Sequence, residues 1–312
     1  MKNLIILIFI LTSYFSFAQP NPQERYPERI KAITEKLKTD SLNYELIWER
    51  LAMKVNLMGG FGTRDDLFSS NVDSVNIAKR KREIKERYFD EFNTDFNKVY
   101  ENIIKVKKYD IVEEGDFYLS RIWFYFNMTE IDKAIEDAKY LRDSASYSRF
   151  SQRGDYYNNW ALYSLFNLYV INNQYEDALK AINTMLEKKK KENPKVYFSG
   201  HGSFLSDSDK IFLFEHFNKN EKIIPFLKET CKEHFNWYFE NAKSKDYYIE
   251  TAKDQSLYFL KQIVDYMKKY NAKELPKYQK IYNQLRYQMN KNYETINPNI
   301  SYTKLKSIVS EI

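Results

Sequence analysis

The chain has 312 residues, enough to bury one or two substantial cores. Its 49 Lys and Arg against 43 Asp and Glu leave a net charge of +6, and the two signs interleave along the chain. That pattern is the solvated face of amphipathic helices and argues against a nucleic-acid-binding stripe, while a single cysteine, Cys231, excludes an internal disulfide.

The first residues, "MKNLIILIFILTSYFSFAQPN", have the form of a secretory leader. Lys2 supplies the positive start, Leu4 to Leu11 is an unbroken apolar run, and Ser16-Phe17-Ala18 is a small-x-small site. Cleavage is expected after Ala18, so residues 1–18 are read as a signal peptide and the protein as periplasmic or secreted. The run is short for a membrane span of roughly 20 residues, and no later stretch is apolar enough to cross a bilayer. No cysteine follows it that could carry a lipid.

Beyond the leader, glycine and proline are scarce, seven of each, and no proline lies between Pro27 and Pro194. In "REIKERYFDEFNTDFNKVYENIIKV" the residues Ile84, Tyr88, Phe92, Phe96, Val99 and Ile103 recur every three or four positions, one stripe of a helix. No comparable stretch alternates with period two, so the expected fold is all-α. Helices are predicted near 27–39, 43–58, 74–107 with a break at "NTD" (93–95), 114–127, 130–143, 155–172, 175–191, 207–218, 221–241, 247–270, 274–292 and 301–310. Short links such as "NMTE" and "NNQ" make antiparallel hairpins of neighbours. Five of the seven glycines fall in "MGGFGTRDD" (Met58 to Asp66) and "SGHGS" (Ser199 to Ser203), which are expected to be the long loops. The run "EKKKKEN", from Glu187, is read as a helix end whose cations complement the dipole.

Two hairpins align on their links. "FYLSRIWFYFNMTEIDKAIEDAKYL" places Tyr125 nine residues before Ala134, and "NWALYSLFNLYVINNQYEDALKAINTML" places Tyr169 nine before Ala178, the two offset by 44 residues. Small Ala134 and Ala178 let paired helices approach, while Tyr125 and Tyr169 fill the adjacent space. A third, partial match is "NYELIWERLAMKV", with Trp48, Leu51, Ala52 and Val55.

This resembles the tetratricopeptide repeat, whose pattern is W-x2-L-G-x2-Y…A-x3-F…P. Bulky Ile122 and Phe166 stand where the repeat has glycine, Arg121 replaces a leucine, and the spacing exceeds the family's 34 residues. The resemblance covers about half the chain. It implies stacked antiparallel hairpins, a tetratricopeptide-like α-solenoid over 19–195, followed by a C-terminal helical layer over 196–312. It also implies a ligand-facing surface made by the first helix of each hairpin: Leu119, Trp123, Phe126 and Asn127 in one unit, Trp160, Tyr163, Asn167 and Val170 in the next. Of these, Trp123, Trp160 and Tyr163 would grip an extended protein segment, and Asn127 and Asn167 would bond its backbone.

Signals for chemistry are weak. "GHGS" lacks the G-x-S-x-G elbow and its supporting sheet, and Ser206, Asp207 and Ser208 suit the N-cap of the following helix. "MGGFGTRDD" lacks a phosphate-loop pattern. Cys231 and His234 share a helix face and His216 lies on the helix before, short of the three or four convergent ligands a metal needs. The expectation is therefore a non-enzymatic protein or peptide binder with no catalytic residues, no metal and no cofactor. A glycan-binding role is the first alternative, and a hydrolase using His201 in the 193–209 loop a lesser one.

Overall fold

The computed structural model describes residues 22–58, 89–145, 153–200, 206–242, 247–290 and 305–312. The leader, the "MGGFGTRDD" loop beyond Met58, the 74–88 part of the predicted third helix, and His201 with its following residues to 205 lie outside them. Every regular element among the described residues is helical. The residues form two compact units, Met1–Ser164 and Leu165–Ile312.

In the first unit, α1 (Pro22–Thr39) and α2 (Tyr44–Met58) pair as a hairpin. Next comes α3 (89–99), which runs on into a π-helical turn at Tyr100–Ile104. The stripe read from sequence is its buried face: Phe92, Phe96, Val99 and Ile103. The break expected at 93–95 does not occur. Asp95 instead turns inward and takes a bidentate bond from Arg50 of α2, at 2.8 and 2.7 Å, so a residue type that often punctuates helices is here an internal ion partner.

The next pair, α4 (Glu114–Asn127) and α5 (Ile131–Ala145), packs as a hairpin. Phe117 and Phe124 of α4 meet Phe96 at 5.7 and 5.0 Å between ring centroids. Arg121 points toward α5, where it forks onto Asp137 at 2.7 and 2.6 Å beneath the rings of Phe117 and Tyr118. Burial pushes the Asp137 carboxyl upward from its ordinary range, and the bonds and charge of Arg121 pull it back. An ion pair between Arg121 and Asp137 thus ties α4 to α5. Finally α6 (Gly154–Ile171) begins in this unit and ends in the second.

The second unit continues through α7 (Tyr175–Glu192), a short α8 (Pro194–Phe198), α9 (Asp207–His216), a 3-10 turn at Asn220–Lys222, α10 (Ile223–Asn241), α11 (Tyr247–Lys269) and α12 (Leu275–Asn290). A last helix, α13, spans 305–309. In α7 the residues Ala178, Ala181, Ile182, Met185 and Leu186 form one buried stripe, and Lys189, Lys190 and Lys191 occupy the last turn, where cations suit the dipole. The core centres on α10, α11 and α12 around Leu227, Phe235, Leu260, Ile263 and Leu285. Part of the loop expected at 193–209 is the helix α8, started by Pro194 at its first turn.

One turn recurs. After α4, Thr129 adopts φ 61°, its N–H bonds the Phe126 carbonyl, and the Glu130 N–H bonds that of Tyr125. After the last residue of α6, Asn173 (φ 57°) and Gln174 make the same bonds to Val170 and Tyr169. This is the Schellman geometry, which satisfies the last carbonyls of a helix. It returns at Asn218 and Asn271, and at Lys107 behind the π-turn. The positions 129, 173 and 218 are 44 and 45 residues apart, while 107 and 271 stand 22 and 53 residues outside that run.

Candidate aromatic docking face

The predicted ligand-facing residues of the first unit sit on α4 and α6. Tyr157, fully buried, lies against Gly115, where a methyl group would stand 2.5 Å from the ring. Its hydroxyl donates to Glu113 at 2.8 Å, and Arg153 pairs with Asp116 at 3.3 Å and Glu113 at 3.7 Å. These contacts pin the start of α6 to the start of α4. On α4, Asp116, Ser120, Trp123 and Asn127 follow at i, i+4, i+7 and i+11. On α6, Tyr156, Trp160, Tyr163 and Asn167 have the same spacing.

Trp160 is the hub. Its ring centroid lies 5.7 Å from Trp123, 5.6 Å from Tyr163 and 6.3 Å from Tyr156, all edge-to-face. Trp123, Trp160 and Tyr163 are half-buried, and Tyr156 is 42 % exposed. The other positions implied by the resemblance, Leu119, Phe126, Asn127, Asn167 and Val170, are buried. The Asn127 amide donates to the Trp123 carbonyl at 2.9 Å, within its own helix. Asn167 is 4 % exposed and belongs to the second unit. In this arrangement neither amide faces solvent to bond a ligand backbone. Sequence reasoning missed Tyr156, although its place four residues before Trp160 puts it on the same stripe. It also missed Arg153, Glu113 and Asp116, which only the packing of α4 against α6 brings together.

A second polar cluster lies in the second unit. His234 of α10 is 1 % exposed, with its Nε2 3.7 Å from an Asp207 oxygen and neither ring nitrogen hydrogen-bonded among the described residues. Asp207 accepts from the Tyr197 hydroxyl at 3.1 Å. Rings of Tyr197, Phe198 and Phe259 enclose the imidazole at 5.5, 5.0 and 4.8 Å. Ser206 caps α9, its N–H and hydroxyl both bonding Asp209 at 2.7 and 2.8 Å, which leaves Asp207 free to turn inward. Cys231 is fully buried with its thiol on the Ser256 carbonyl, and burial pushes that thiol upward, away from a nucleophile. His216 is exposed at the end of α9, remote in environment from His234. Among the described residues no three His, Cys, Asp or Glu side chains are placed to hold a metal, and no helix is long and apolar enough to cross a membrane.

No family model, curated protein or solved structure matches the chain.

Proposed function

We propose that the protein is an exported, non-enzymatic helical-repeat protein, tetratricopeptide-like in its hairpins, that docks a segment of a partner protein on the Trp123–Trp160–Tyr163–Tyr156 face. The observation that carries this reading is the edge-to-face cluster itself. Four large rings gather on neighbouring helices and keep part of their area open to solvent, as docking anchors do. Three occurrences of one helix-ending turn, at 129, 173 and 218, spaced 44 and 45 residues, support the reading of stacked hairpins. The leader pattern supports export with a start at Gln19.

The test is site-specific photocrosslinking of the exported protein, its N-terminus checked for Gln19. A photoreactive phenylalanine at position 156 or 163 is expected to capture the same partner, while the same group at exposed position 247 captures none. Equal capture at all three positions contradicts the assignment of the face.

A further inference from the structure

What the aromatic face offers a ligand is chiefly ring surface. The Trp123 indole N–H is buried and meets no acceptor among the described residues, and the Asn127 amide is held by its own helix. The rings stand steeply to one another: 74° for Trp123 and Trp160, 86° for Trp160 and Tyr163, 68° for Tyr156 and Trp160. The faces of Trp and Tyr rings carry the negative end of a quadrupole, which attracts a cation wherever no neighbouring edge covers them.

Charge points the same way. At the Tyr156 end two carboxylates, Glu113 and Asp116, face the single guanidinium of Arg153. That guanidinium lies 5.1 Å over the Tyr156 ring and 5.0 Å over Tyr157, so this surface already carries one cation on its aromatic faces. We propose that the occupant is an extended protein segment bearing Arg or Lys, its cationic side chains seated on Trp160 and Trp123 with Asp116 at the rim. This rests on the reading of the face as a docking surface and names the chemistry of what docks.

Calorimetric titration of the full chain tests it. The probes are acetyl-Gly-Arg-Gly-Arg-Gly-amide, the matching peptides with Glu or Leu in place of Arg, and a chitin hexasaccharide. The Arg peptide is expected to bind about tenfold more tightly than the Leu peptide. Ser120 is half-buried on the α4 stripe between Asp116 and Trp123, a position where a charge is expected to leave the fold intact, as a thermal melt checks. Ser120→Lys should weaken the Arg peptide by roughly tenfold and Ser120→Glu should tighten it. Equal binding of Arg and Leu peptides, preference for Glu, indifference to the charge at position 120, or binding of the saccharide alone each overturns the cationic class. Binding of no probe also overturns it. Crosslinking at positions 156 and 163 then decides separately whether the docking face itself stands.

Discussion

Gly115 is the residue on which the candidate face depends most. It has no side chain because the Tyr157 ring occupies the space, 2.5 to 2.6 Å from where a methyl carbon would sit. Gly115→Ala is expected to push α6 away from α4 and to lower stability by about 1–3 kcal/mol, read from the urea midpoint. Thr129 has the opposite problem. It is β-branched yet held at φ 61°, a left-handed conformation that costs side-chain-bearing residues about 1–2 kcal/mol. Thr129→Gly should therefore raise stability by about 0.5–1 kcal/mol in the same measurement, the remainder being lost to the freer unfolded chain. Neither effect could be read from the sequence: glycine inside a helix and threonine in a link are each unremarkable until their neighbours and backbone angles are known.

Elements were largely legible because their apolar stripes are long and uninterrupted. The bounds predicted for α4 match those observed, and those for α6 and α7 fall within a residue. The likeness of the two hairpins was visible where Ala134 and Ala178 stand at matching places, whereas Ile223 stands 45 residues after Ala178. The backbone turn persists there because it depends on Asn218 and on the carbonyls of Phe214 and Glu215, not on the packing residues. Helix α13 was expected within 301–310 and is observed at 305–309. A short helix is not stable in isolation; Leu305 and Val309 of α13, with Ile312 beyond it, are buried in one cluster with Tyr278, Ile281 and Leu285. Leu305→Ala is expected to cost about 2–3 kcal/mol, with increased binding of a hydrophobic dye as the sign that this apolar surface has opened.

At the scale of the molecule, composition indicated helices and packing without disulfides, and the regular elements of the described residues are all helical, in two compact units. Three of the five candidate contact residues, Trp123, Trp160 and Tyr163, lie together with exposed area, while Asn127 and Asn167 are turned into the interior. A stripe pattern tells which residues share a helix face; whether a neighbouring helix covers that face is decided by residues far away in sequence. The same limit hid the Tyr197–Asp207–His234 cluster, whose members come from three helices. Binding of a partner by the open rings is tested by the affinity of the crosslink-identified partner for the wild-type chain and for Trp160→Ala, with circular dichroism confirming that the variant keeps its helices. The prediction is a loss of about 2 kcal/mol or more, some thirtyfold in Kd. An unchanged Kd in a folded Trp160→Ala protein would contradict it.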